Sequence, residues 1–165
     1  MHETTQDLIR LQDLMDRSHQ QAGAHLRSII TPERRLSAEE LAQRLTGMRL
    51  LALATVSSAG HPRVSPVDGI FYRGEFWFGS APNALKSTHI ATNPHVSATH
   101  VPEEALGVTV HGVAHRVDLD DARHRGFCDT CVDIYGEGWN DWGDGAAYAR
   151  IEASHLFVFS MDEDP

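Results

Sequence analysis

The chain has 165 residues, 41% hydrophobic and 22% charged, the proportions of one globular domain with room for an arm. Its 23 acidic and 14 basic side chains give a formal charge of −9, without the clustered cations that a nucleic-acid backbone demands. No apolar run approaches the ~20 residues that cross a bilayer. Met1 to Asp7 carry neither a basic nor an apolar leader region, so a cytoplasmic protein with no membrane or nucleic-acid partner is expected.

In chain order, residues 5–30 predict one amphipathic helix, with Leu8, Leu11, Met15, Ala22, Leu26 and Ile29 recurring near the helical period until Thr31-Pro32 interrupts it. Such an arm either packs across the domain or reaches onto a partner subunit. Ser37-Ala-Glu-Glu40 is a capping box, starting a short helix that ends near Leu45 with Gly47 as its stop. These elements give a helical arm over 1–46, ahead of a β domain over 47–165.

From Arg49 the pattern changes to strands. Leu50 to Val56 is apolar on both faces, as in a closed barrel. Ser57 to Gly60 forms a hairpin turn, residues 62–73 a second strand, Arg73-Gly74 another turn, and Glu75 to Ser80 a third strand. A helix over 84–92 ends at Asn93-Pro94. Val96–Val101 and Val108–Val117 read as strands joined through Pro102-Glu-Glu. Asp118 or Asp120 caps a helix over about 120–135 that carries Phe127, Cys131 and Ile134 on one face. A glycine-rich loop with two tryptophans follows, and Ile151–Ser160 closes the chain as a strand. Short antiparallel strands interrupted by two helices predict a mainly β protein, a small barrel with helical decorations.

The most informative local chemistry lies between the third strand and the next helix. Phe76-Trp-Phe-Gly-Ser80 delivers a hydroxyl to a turn, and Lys86-Ser87 open the helix beyond it. Free backbone N–H groups and the positive end of the helix dipole favour an anion there, and small hydroxyls with one cation add charge-assisted hydrogen bonds. A solvated βα turn of ordinary composition is the competing reading.

Three segments in order, Leu53 to Val67, Glu75 to Ser80 and Lys86 to Ser97, resemble the pyridoxamine 5′-phosphate oxidase-like flavin- and deazaflavin-dependent oxidoreductases. The resemblance covers roughly residues 45–160 and implies a split β-barrel of the FMN-binding type, in homodimers that hold the flavin between subunits. Carried over by position, Arg63 approaches the phosphate, and Val64, Ser65, Pro66 and Val67 pass along the ring. Phe78, Gly79 and Ser80 end a strand beside the phosphate or ribityl chain, with Lys86 and Ser87 as phosphate ligands. Ala84-Leu85 stand where true pyridoxamine phosphate oxidases have Ser-Arg, and the C-terminal substrate-binding Trp and Arg segment of those enzymes has no counterpart before Pro165. Oxidation of vitamin B6 is therefore not expected. FMN is the expected cofactor, and an 8-hydroxy-5-deazaflavin coenzyme is the alternative; haem is a minor one, since relatives of this barrel include haem-binding proteins.

Trp139 and Trp142 read either as an aromatic wall over a flavin or as anchors for their loop. His111 and His115 share a strand face but stand ~13 Å apart, too far for one ion. The eleven histidines read as solvated or hydrogen-bonded surface groups, and no metal site is expected. Cys128 and Cys131 lack a second ligand pair for zinc and read as buried thiols. No catalytic acid–base set can be named, which suits flavin redox chemistry. The expected activity is an FMN-dependent oxidoreductase using a small-molecule substrate, with NAD(P)H as a candidate donor. A deazaflavin-dependent reductase and a non-catalytic flavin or haem carrier are the alternatives.

Overall fold

The computed structural model describes residues 1–141 and 145–161. Six strands, β1 (Met48–Val56), β2 (Pro62–Tyr72), β3 (Glu75–Ser80), β4 (His95–Glu103), β5 (Leu106–Val117) and β6 (Ala147–Ser160), close into an antiparallel barrel in the order β1-β2-β3-β6-β5-β4. Alternation along each strand drives the closure. Leu51 and Leu53 of β1 are fully buried, whereas Leu50 and Ala52, which alternate with them, face outward. Leu106, Val108, Val110 and Ala114 of β5 join Phe76, Phe78 and Ile151 in the interior.

Among the described residues five α-helices flank the barrel: α1 (Thr5–Gln21), α2 (Ala24–Ile29), α3 (Ala38–Arg44), α4 (Leu85–Thr92) and α5 (Arg125–Tyr135). The single helix predicted over 5–30 is in fact two, because Ala22 takes extended backbone and Gly23 caps a new start. The arm packs across its own barrel. Leu11 and Met15 enter the main core, and the buried Ser18 hydroxyl accepts a hydrogen bond from the Leu156 N–H of β6 at 2.9 Å. Gln12 also accepts from Ala38 N–H, tying α1 to α3. The capping box that starts α3 is present, with Ser37 accepting from Glu40 N–H and Glu40 bonding back to Ser37 N–H.

A second, outer cluster lies under α5, where Ile70, Tyr72, Trp77, Phe127, Cys131 and Tyr148 pack against the outside of β2, β3 and β6. Phe127 stacks on Trp77 with 4.3 Å between ring centroids and meets Tyr148 edge-on at 5.5 Å.

Several boundaries move relative to expectation. Pro102 and Glu103 belong to β4, leaving a shorter connection to β5. Neither Asp118 nor Asp120 caps a continuous helix; Asp121 caps a 3₁₀ turn over Ala122–His124, and α5 follows it. β6 begins at Ala147 rather than Ile151, since pairing with β3 recruits the weakly strand-like Ala-Tyr-Ala-Arg run.

Candidate functional site

Strand alternation and one helix start build the site. On β2, Val67 turns into the barrel, while Pro66, Asp68 and Ile70 face outward. On β3, Gly79 pairs with Tyr148 of β6. A Cβ at Gly79 would come within 3.0 Å of the Tyr148 ring, so the glycine is what lets that ring lie across the strand. Trp139 meets Tyr148 edge-on at 5.4 Å. Together with Leu50, Ser80, Lys86 and Tyr135, these residues line a cavity of about 640 Å³. That volume falls within the ~300–1,000 Å³ range of small-molecule and cofactor sites.

Lys86 is the sole lysine of the chain. It is half-buried in the first turn of α4, whose N-cap, Ala84, offers no side-chain hydrogen bond. The first-turn N–H groups of α4 therefore have no side chain capping them, the arrangement that favours an anion. The Ser87 hydroxyl donates to the Ala81 carbonyl at 3.1 Å and holds the turn in shape. Ser80 is buried at the point where this cavity meets a second one of about 270 Å³, lined also by Phe78, Ser87, Thr88, Arg116 and Tyr148.

The predicted residues thus fall into groups. Pro66, Val67, Gly79, Ser80, Lys86 and Trp139 share the larger cavity. Phe78 and Ser87 line the second cavity. Val64 and Ser65 line a third, of about 290 Å³, with Leu50, Pro66 and Val101. Arg63 is exposed near the start of β2, opposite Thr55, and lines none of the three. Trp142 lies outside the described residues.

Asp68, Tyr135, Tyr148 and Arg116 escaped the sequence reading. Arg116 reaches the site because β5 pairs it with Ala149 of β6, a register no local pattern reveals. Burial, with Asp68 nearby, pushes the Tyr135 hydroxyl up to about 12. Burial raises Tyr148 as well, with Cys131 and Tyr135 adding to it. Tyrosine is a protonated donor at neutral pH in any case, and these shifts move both hydroxyls further from ionisation.

The cysteines behave as structural thiols. Both are free, and burial pushes Cys131 up to about 12 and raises Cys128. Among the described residues no group of three or more His, Cys, Asp or Glu is placed to hold a metal ion. The expectation of surface histidines fails at His100, which is buried with its Nδ1 2.9 Å from the Leu50 carbonyl, because β1 leaves that oxygen within its reach.

The family model for pyridoxamine 5′-phosphate oxidase matches residues 37–163. None of the curated proteins matches. Among solved structures, a conserved hypothetical protein of Mycobacterium tuberculosis is similar with TM-score 0.64 and 21% identity, over 79% of this chain and 88% of that one. HutZ, the haem storage protein of Vibrio cholerae, is similar with TM-score 0.62 and 22% identity, over 73% and 91%. A FAD-binding protein of Mesorhizobium loti follows with TM-score 0.58 and 22% identity, over 73% and 90%. At these identities the likeness is one of fold, the split barrel with flanking helices. The family match spans α3, all six strands and the Lys86 cavity, and by it the chain belongs to the pyridoxamine 5′-phosphate oxidase family.

Proposed function

We propose that this chain is an FMN-binding oxidoreductase, and that the 640 Å³ cavity is its flavin site. One observation carries the reading: the cavity joins the only lysine, at a helix start with no side-chain cap, to a wall of Tyr148 and Trp139. Lys86 and the α4 N–H groups would hold the cofactor phosphate, with Ser80 beside them. Pro66 and Val67 would back one side of the ring, and Tyr148 and Trp139 the other. Bound there, the flavin supplies the hydride chemistry, and the protein binds, orients and excludes water. The Tyr135 and Tyr148 hydroxyls, protonated at neutral pH, would act as donors toward the bound ligand or substrate.

The cavity wall suits haem less well: among the described residues it offers no histidine, cysteine or methionine, and its two tyrosines are held away from the phenolate that would ligate iron. A deazaflavin with an acidic tail needs cations beyond Lys86, and Arg116 in the adjoining cavity is a candidate. The substrate of this chain is not a vitamin B6 phosphate, since Ala84-Leu85 replace the Ser-Arg of the enzymes that oxidise one. The unit of function is a homodimer in the cytoplasm. Its support is the apolar outer face of β1, β2 and β4, where Leu50, Val64 and Val101 are 58%, 69% and 61% exposed beside the cavity. Val101→Glu should shift the protein toward monomer in sedimentation, and an unchanged dimer would remove that face as the interface.

Lys86→Ala tests the site. Loss of one charge-assisted hydrogen bond of about 1.5–3 kcal/mol lowers FMN affinity roughly ten- to a hundred-fold. Riboflavin, lacking the phosphate, should bind variant and parent alike, and Lys86→Arg should retain much of the affinity. Equal FMN affinity in Lys86→Ala and parent would sink the assignment. Parallel titration with deazaflavin decides between the two cofactors.

A further inference from the structure

A second cleft, of about 430 Å³, opens between α1 and the barrel and shares no lining residue with the Lys86 cavity. Five of the fourteen cationic side chains converge on it: Arg10 and Arg17 from α1, Arg73 from the β2–β3 turn, Arg123 from the 3₁₀ turn, and Arg150 from β6. Such convergence is unexpected in a chain of net charge −9. Three of these arginines are neutralised. Arg10 pairs with Asp7, Arg123 with Asp121 at 2.6 Å, and Arg150 with Glu75 at 3.0 Å and Glu152 at 3.8 Å. Arg17 and Arg73 have no carboxylate within ion-pair distance among the described residues.

Two further observations point to a ligand. Arg73 sits at φ +52°, and among the described residues no other non-glycine residue has left-handed backbone. It forms a two-residue hairpin turn with Gly74, in which asparagine or glycine is the residue of least strain at this place. The arginine is kept there against that preference, with its guanidinium 5.5 Å from the centroid of the Tyr72 ring. Separately, Trp77 forms part of the cleft wall and is 5% exposed, and its indole N–H is buried without a hydrogen-bond partner. A buried donor left unpaired carries a desolvation cost, which an acceptor that reaches it through a small shift of the cleft wall would relieve.

We propose that this cleft binds the phosphate group of a small molecule. Arg73 and Arg17 would supply the two uncompensated guanidinium forks, with Tyr72 and Trp77 as its aromatic floor. Guanidinium forks match the oxygen geometry of a phosphate better than any other side chain. The ligand would bridge the helical arm and the β2–β3 hairpin, which already touch: Gly74 lies against Leu11 and Asp7, and its N–H donates to Glu3 at 3.4 Å.

The test is calorimetric titration of the full-length protein with inorganic phosphate and with phenyl phosphate, phenol serving as the uncharged control. At least one of the two phosphates should bind with sub-millimolar affinity, and phenol should not. The stronger of the two identifies free anion or aryl ester as the preferred form. Arg73→Asn and Arg17→Gln should each weaken binding about tenfold or more. Arg73→Asn relieves the turn, so its thermal midpoint should hold or rise, which separates lost binding from lost folding. The Trp77 indole N–H resonance, assigned by its loss in Trp77→Phe, should shift on titration in the parent and stay still in Arg73→Asn. In Lys86→Ala the Trp77 shift should persist and should still vanish with Arg73→Asn, and any heat lost there belongs to the Lys86 cavity. Absence of phosphate binding, a Trp77 shift that is the same in parent and Arg73→Asn, or loss of that shift in Lys86→Ala would each overturn the proposal.

Discussion

Gly79→Ala is a severe test of how the Lys86 cavity is built. The new methyl would lie 3.0 Å from two carbons of the Tyr148 ring and 3.3 Å from its hydroxyl oxygen. Phe127 and Trp139 hold that ring edge-on, at 5.5 and 5.4 Å, so it can yield only by moving both neighbours or by swinging into the cavity. Overpacking of this kind costs about 1–3 kcal/mol. Against it stands the loss of unfolded-state freedom on replacing glycine, worth about 0.4–1 kcal/mol of stabilisation. The net is a destabilisation of about 1–2 kcal/mol, a fall of about 2–8 °C in thermal midpoint for a chain of this length. Scanning calorimetry of the parent and variant measures it. In a Tyr148→Ala background the obstacle is gone, and the same Gly79→Ala change should be neutral or stabilising. An equal cost in both backgrounds would refute the steric argument and place the effect on the backbone instead.

Leu53, fully buried at the centre of the main core, should lose about 2–5 kcal/mol on truncation to alanine, read as a lower urea midpoint at unchanged slope. Acidification should loosen the arm through His19, whose pKa is lowered by burial and then by the facing Arg35 and Arg27. The unfolded chain binds the proton more readily, so this share of stability is full above pH 6.5 and lost as pH falls through the interval below it. His111, lowered by burial and by His155, acts in the same direction. His19→Gln should therefore lessen the drop in urea midpoint between pH 7.5 and 5.5, and an identical drop in parent and variant would refute the role.

Features decided within a few residues were legible in the sequence. The Ser37 capping box, the Arg73-Gly74 turn and the start of α4 rest on side chains that bond or bend their own neighbours, and all three stand where the pattern put them. What escaped depends on partners far along the chain. Nothing local marks Ala147 to Arg150 as strand, because two alanines and an arginine carry little strand preference, and only pairing with β3 makes them strand. That same pairing brings Tyr148 onto Gly79 and Arg150 onto Trp77, so both cavity walls were invisible for one reason. The arm's break at Gly23 was a weaker miss, since the apolar spacing on either side continues across it.

The outer row of β3 explains why two cavities sit so near each other without merging. Phe76 and Phe78 turn into the barrel, leaving Trp77 and Gly79 as successive outward positions about 7 Å apart. Opposite them on β6, Arg150 and Tyr148 repeat the division. Phe127 of α5 fills the gap, stacked on Trp77 and set edge-on to Tyr148. A large apolar ring at that position separates an arginine cleft from a lysine cavity. The consequence is that Lys86 and Arg73 report on different surfaces, so each assignment stands or falls on its own titration.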